Sequence, residues 1–472
     1  MAVKQNNLFG SFLPRKQTGV TENKQNILNA VNRVKTSKEK FQPQVILPQY
    51  SILRQKIIMI SNLVKQGKLI THKNYRAVTT KDELWKVVKH INETKKCVWD
   101  TETDSKDPTV AQFVGMSLMD PVEDKHIYVP SLHCNAQKVL LDNQLTYKEI
   151  AEVIGETMEN PNIKKFGQNL VYDNRVISNN LKINVKGTYW DTLIAMQLID
   201  ENRKNNKLKH LYRELVLKEE GKDTDTFEAL FKDLLFCFVP IDVAVQYAAG
   251  DTDKTNAVYE WQNKFLSKSD VKDVRKNFLE IQMPQVEVVT AMENRGMSLD
   301  TEYAKALHEE YDELLGQIKS RLDIYFKNKF GIENINYKSS SQIAELIYDK
   351  LKCPPVDKKK PRGTGTEIIQ KLVSDNPSLK ILQDILTYRG TSKLLDTYID
   401  SLPNQVAKDN RLHCRFNING AKTGRYSSSQ PNFQNIPSHH NKVTGKDDFR
   451  IRWLFVPKKG YVLISSDFSL VA

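Results

Sequence analysis

Four acidic residues and one tyrosine, spread over three short segments, are the side chains best suited to chemistry. The first segment is Asp100-Thr101-Glu102-Thr103, directly after the strand-like run Cys97-Val98-Trp99. Alternation along an extended chain puts Asp100 and Glu102 on one face, two rises or ~7 Å apart. Carboxylates held that close repel unless a cation lies between them, and hard oxygen ligands suit Mg²⁺ or Mn²⁺. The second segment is Phe166-Gly167-Gln168-Asn169-Leu170-Val171-Tyr172-Asp173, a glycine turn opening a helix with another acid one turn in. The third is Tyr247-Ala248-Ala249-Gly250-Asp251. Four positions apart on a helix, Tyr247 and Asp251 lie one above the other. Any of these acids taken alone reads as a solvated surface carboxylate. Asp100 and Glu102, held on one face, are the pair that calls for a cation.

The elements that must position them are those of an α/β domain. Phe113-Val114-Gly115-Met116-Ser117-Leu118 is expected to pair as a hairpin with the strand ending in Trp99. Ile127-Tyr128-Val129-Pro130 adds a third strand closed by its proline. Helical spacing runs from Tyr147 to Met158 and stops at Asn160-Pro161, and Asp191 is expected to cap a helix start. Residues 265–402 have mainly helical patterning, with helices over Leu279–Arg295, stopped by Gly296, and over Thr301–Phe330. The basic run Lys358-Lys359-Lys360-Pro361-Arg362 lies in an exposed loop suited to a phosphate backbone. Short strands and polar loops follow Pro403, and Tyr461-Val462-Leu463-Ile464 has the texture of a buried strand. The division expected is 1–75, a basic and largely flexible region; 76–265, the α/β domain; 266–402, helical; and 403–472, a final α+β piece.

Composition is that of an ordinary globular protein with a basic surplus. The chain has 472 residues, 40% hydrophobic and 27% charged, with a formal net charge of +13. A surplus of that size favours a polyanionic partner. No apolar run reaches the roughly 18 residues of a membrane span, and no signal peptide is evident. Five scattered cysteines, Cys97, Cys134, Cys237, Cys353 and Cys414, form no zinc or disulfide pattern, which points to a reducing, cytoplasmic setting.

The three acidic segments resemble, in order and spacing, the exonuclease motifs of the DEDDy nucleases found in family A DNA polymerases of the bacterial polymerase I type. The resemblance implies a ribonuclease H-like 3′→5′ exonuclease in which Asp100, Glu102, Asp173 and Asp251 hold two divalent ions, Mg²⁺ or Mn²⁺. Tyr247 would orient the attacking water, and Asn169 would contact the DNA end. Gly250 departs from the family, which often has a polar residue there. A second match is more specific still. Ala421-Lys422-Thr423-Gly424-Arg425-Tyr426-Ser427-Ser428-Ser429-Gln430-Pro431-Asn432-Phe433-Gln434-Asn435-Ile436-Pro437 resembles the polymerase signature TGRxSSxxPNxQNIP. It implies that Arg425, Asn432, Gln434 and Asn435 contact a primer–template duplex. Tyr388 to Tyr398 resembles the thumb, so the likeness runs from about residue 80 to 469.

Ser465-Ser466-Asp467-Phe468-Ser469 looks like the opening of polymerase motif A, with Asp467 as a metal ligand of an incomplete site. Leu470-Val471-Ala472 then departs from the family. On this reading the chain is an N-terminal fragment, closer to the shorter phage polymerases, with an incomplete palm. It is not expected to polymerise alone, and residues beyond Pro437 are expected to pack poorly. An intron, a split gene completed by a second chain, and a truncated sequence all remain open as reasons. A non-catalytic DNA-binding half of such a split polymerase is the alternative function. Gln5-Asn6-Asn7-Leu8-Phe9 also resembles a sliding-clamp docking peptide.

Overall fold

The computed structural model describes residues 48–65, 74–221, 226–418, 420–437 and 448–466. It divides into two compact units, with the boundary between Thr290 and Ala291. Among the described residues no helix is long and apolar enough to cross a membrane.

The first unit is built on a six-stranded mixed sheet in the order β1-β4-β3-β2-β5-β6. The strands are β1 Tyr75–Ala77, β2 Lys96–Thr103, β3 Phe113–Asp120, β4 Lys125–Pro130, β5 Lys164–Gly167 and β6 Thr188–Asp191. β2, β3 and β4 form an antiparallel meander, while β1 joins β4, β5 joins β2 and β6 joins β5, all in parallel. This is the ribonuclease H-like arrangement. All eight residues of β3 are buried, which is why its sequence reads as a continuous apolar run rather than an alternation. Gly115 is required there, because a Cβ would lie 2.3 Å from the Tyr128 hydroxyl and 2.7 Å from the Val129 carbonyl.

The flanking helices start where local chemistry says they should. Helix α1, Lys81–Thr94, is capped by the Thr80 side chain accepting from the Glu83 amide. Helix α2, Tyr147–Glu159, has a reciprocal capping box between Thr146 and Glu149. Helix α3 is Leu170–Leu181, α4 is Thr192–Ile199, and α5 is the long helix Ile241–Leu266. Ala244 and Ala248 on α5 are fully buried in one core with Val114 and Tyr128 of the sheet. Small side chains let this helix approach the sheet closely.

One expectation needs correcting at the centre of the sheet. The first acidic segment does not follow the strand but belongs to it: Asp100 pairs with Ser117, and Glu102 with Gly115. The buried partner β3 extends the ladder further than propensity alone suggests. The register shifts between Glu102 and Thr103, a bulge that ends regular pairing just beyond the acids.

The second unit is mainly helical. Helix α6, Thr301–Phe330, is capped by Asp300, whose side chain accepts from the Tyr303 amide, and stops at the left-handed Gly331. It packs with α7, Thr366–Asp375, and α8, Lys380–Leu394, around Ile318, Leu322, Phe326, Ile369, Leu382 and Ile385. Upstream, Phe278–Gln282 is a π turn that leads into the helix Met283–Arg295. The wider turn falls just before Pro284, which has no amide to donate. Small strands complete the unit: β7 Met297–Leu299, β8 Arg411–Leu412, β9 Arg415–Asn417, β10 Ser427–Ser429 and β11 Phe455–Val456. Lys358–Arg362 lies in exposed turns, but Arg362 makes a bidentate pair with Asp349 at 2.7 Å.

Two C-terminal expectations are met only in part: the last apolar run is exposed, as poor packing there implies, but it is not a strand. Tyr461 to Ile464 form no strand and are 69%, 78%, 54% and 87% exposed. An apolar run becomes a strand only with a ladder to join, and none is present among the described residues. Packing nevertheless continues past Pro437: Ile451 and Leu454 are completely buried. There β11 pairs with β7, and Arg450 makes a bidentate pair with Glu310 at 2.8 and 2.6 Å.

Candidate active site

Strand β2 and helix α5 bring three of the four acids to one point. One carboxylate oxygen from each of Asp100, Glu102 and Asp251 lies within 4.8 Å of the other two. Glu102 and Asp251 are buried, and Glu102 Oε1 and Asp251 Oδ1 have no hydrogen-bond partner. Orphaned buried acceptors of this kind are costly unless something positive completes them. The donor set, hard carboxylate oxygens on rigid elements, fits Mg²⁺ or Mn²⁺.

Asp173 stands beside this trio rather than within it. Its Oδ1 accepts from the Thr101 amide at 3.1 Å and from the Thr101 hydroxyl at 2.5 Å. The residue between the two β2 acids thus anchors the acid from α3. Burial pushes the Asp173 carboxyl up to about 7, partly opposed by those two hydrogen bonds. Burial, then the charges of Asp173, Glu102 and Asp251, raise Asp100 well above the ordinary carboxylate range. Glu102 is raised by burial and by Asp251, with Lys209 opposing. Asp100 and Glu102, each raised further by neighbouring carboxylates, are placed as ligands of a cation site would be.

Asp191 does more than cap. It accepts from the Leu193 and Ile194 amides at the start of α4, as expected, and also from the Asn169 and Leu170 amides at the start of α3. It is 1% exposed, so one buried carboxylate ties together the starts of two helices, one of which carries Asp173. Asn169 adopts the left-handed conformation, φ 64°, at that junction, a conformation asparagine tolerates better than most residues.

Tyr247 lies one turn before Asp251 on α5 and packs against Phe231 and Phe236, with ring centroids 5.3 and 5.8 Å away. Burial, then the charges of Asp251, Glu102 and Asp100, push its hydroxyl well above the ordinary phenol range. It therefore stays protonated near neutral pH.

Lys209 escaped the sequence reading. It lies in the short helical turn Leu208–Leu211, and its Nζ is 3.1 Å from Asp251 Oδ2 and 3.6 Å from the Tyr247 ring centroid. In so lysine-rich a chain, nothing local marks this lysine. Thr101 was equally inconspicuous. A Cβ on Gly250 would lie 3.2 Å from Lys254 Nζ and 3.5 Å from the Tyr75 ring.

The polymerase-like segment has a different character. Arg425, Asn432, Gln434 and Asn435 are all exposed. Asn432 Oδ1 accepts from the Ser428 hydroxyl at 2.9 Å and from the Gln434 amide at 3.0 Å. Gln434 Nε2 donates to the Tyr426 carbonyl at 2.8 Å. Two of the four expected DNA contacts thus also hold the loop's own shape. Asp467 and Gln5–Phe9 lie outside the described residues.

Comparison with known proteins agrees on both parts. The 3'-5' exonuclease family matches residues 75–265, and DNA polymerase family A matches residues 301–471. The DNA polymerase I of Synechocystis sp. is 31% identical over 396 residues, covering 81% of this chain and 37% of that protein. The DNA polymerase I of Borreliella burgdorferi is 30% identical over 398 residues, covering 84% of this chain and 41% of that protein. The chain therefore spans about two fifths of the length of these relatives. A solved structure, the POL domain of Pol1 from M. smegmatis in complex with DNA primer-template and dNTP, aligns with a TM-score of 0.64 at 21% identity. That alignment covers 82% of this chain and 59% of the other, and it shows a shared fold. With an exonuclease family match followed by a polymerase family match, and relatives aligned across both, the chain belongs to DNA polymerase family A.

Proposed function

We propose that the first unit is a proofreading 3′→5′ exonuclease that hydrolyses the terminal phosphodiester of DNA. The observation that carries this reading is the pair of buried, unpartnered acceptors, Glu102 Oε1 and Asp251 Oδ1, within a cluster of carboxylates on β2 and α5. Asp100, Glu102 and Asp251, with Asp173 alongside, would hold two divalent ions, Mg²⁺ or Mn²⁺. Such ions, when bound, supply an activated water and neutralise charge developing on the phosphoryl group. Water adds to phosphorus as the bond to the 3′ oxygen breaks, releasing a nucleoside 5′-monophosphate and leaving a new 3′ hydroxyl. Tyr247, protonated near neutral pH, orients that water by hydrogen bonding and is not the base. Asn169, fixed by Asp191 through its amide, contacts the DNA end.

In the second unit, Arg425 and Asn435, with Asn432 and Gln434, would contact a primer–template duplex. Exposed amides and a guanidinium suit the minor groove, where acceptors are common to all base pairs. The related M. smegmatis structure holding primer-template is consistent with this. The boundaries 76–265 for the exonuclease and 266–402 for connector and thumb belong to the same proposal.

The test is incubation with 3′-labelled single-stranded DNA and Mg²⁺ beside an Asp100→Ala control. Release of labelled mononucleotide by the wild type alone supports the nuclease. Equal inactivity of both proteins, with DNA binding retained, would instead favour a non-catalytic DNA-binding role.

A further inference from the structure

The cation implied by the carboxylates is not the only positive charge that can serve them. Lys209 lies with its side chain only 10% exposed, 3.1 Å from Asp251 Oδ2. The other oxygen of the same carboxylate, Oδ1, is one of the two orphaned acceptors. Asp251 is thus shared, one oxygen turned to the lysine and one left for the cluster. The same ammonium lies 3.6 Å from the centroid of the Tyr247 ring, well inside cation–π range. Tyr247 and Asp251 are one turn apart on α5, so a single ammonium touches both. Lys254 is more distant, at 4.0 Å from Asp251 Oδ1.

We infer that Lys209 is a positioning residue with a dual role: it clamps Tyr247 and Asp251 into one arrangement, and its fixed charge weakens cation binding at the neighbouring carboxylates. The inference rests on the metal-site reading given above. A cation beside a ligand carboxylate repels an incoming divalent ion even while it offsets the mutual repulsion of the acids in the metal-free protein. Removing it should therefore tighten cation binding while loosening the tyrosine. Both effects from one substitution would be hard to obtain from a purely structural lysine.

The experiment uses the whole chain and Mn²⁺ as probe, with free Mn²⁺ read by electron paramagnetic resonance. Wild type, Lys209→Met, Lys209→Gln and Lys209→Arg are compared, each first checked for an unchanged melting temperature. Either neutral variant suffices should the other fail to fold. The neutral variants should bind Mn²⁺ about three- to tenfold more tightly. Their kcat for excision at saturating Mn²⁺ should fall about tenfold. Lys209→Arg should keep wild-type Mn²⁺ affinity. Unchanged or weaker Mn²⁺ binding in the neutral variants, or an unaltered kcat, overturns the inference. An Asp100→Ala/Asp251→Ala control separates the two levels of argument: if it binds Mn²⁺ as well as wild type, the metal site itself is wrong.

Discussion

The two polar clusters of this chain solve opposite problems. Around β2, Glu102, Asp173 and Asp251 are buried with Asp100 half-buried beside them, and two acceptors are left without hydrogen-bond partners. Around Arg425 to Asn435, polar side chains face solvent, and two of them, Asn432 and Gln434, bond backbone groups of their own loop. Burial with unmet acceptors asks for positive charge to complete them. Exposure with met acceptors suits a long polyanion, whose affinity is a sum of shallow contacts. The first site should therefore fail abruptly when altered, and the second gradually.

The sharpest break belongs to the first site. Asp100→Ala should reduce excision roughly 1,000-fold, the scale of several kcal/mol of lost charge stabilisation, measured by mononucleotide release. A residual rate within tenfold of wild type would make the two clusters alike. Asp191→Ala comes next. It strips four backbone amides of a buried partner, and should cost about 3 kcal/mol of stability, at roughly 1–3 kcal/mol per unmet group with partial relaxation. Denaturant unfolding of the whole chain reads this directly, and excision should fall with it as α3 loses its anchor.

A smaller effect has a sign that depends on pH. The folded, metal-free protein holds the Asp173 proton up to about 7, whereas an unfolded aspartate releases it near 4. The folded state therefore binds more protons across that window, and wild-type stability falls as pH rises through it. Asp173→Asn keeps an oxygen to accept from Thr101 but removes the titration. With chelator present, its stability relative to wild type should rise between pH 4 and pH 8, by roughly 1–3 kcal/mol. A gap independent of pH would mean that Asp173 is not held protonated. The smallest effect belongs to the second site. Arg425→Ala should weaken duplex binding only a few-fold and lower the salt slope by about one. A loss of hundreds-fold would show that the exposed cluster, too, depends on a single group.

Much of this arrangement was legible before any coordinates. Helix α6 runs from Thr301 to Phe330 because Asp300 and Gly331 punctuate it, and both are visible in the sequence. The second and third acidic segments lie at a helix start and on a long helix, as their neighbours imply. What stayed hidden depends on tertiary pairing. The extension of β2 through Asp100 and Glu102 needs β3 beside it. Tyr461 to Ile464 has the composition of a buried strand, but composition cannot supply the neighbour that would bury it. Asp191 reads as a cap for one helix, and only the fold reveals that it also holds a second. Lys209 and Thr101 acquire meaning solely from what they touch.

The central claim is that the carboxylates on β2, α3 and α5 exist to hold divalent cations. Crystals soaked in Mn²⁺ and measured at an anomalous wavelength test it most directly. The account predicts paired anomalous peaks bordered by Asp100, Glu102 and Asp251, with Asp173 alongside. Clean density with those four carboxylates and no anomalous signal between them would contradict it.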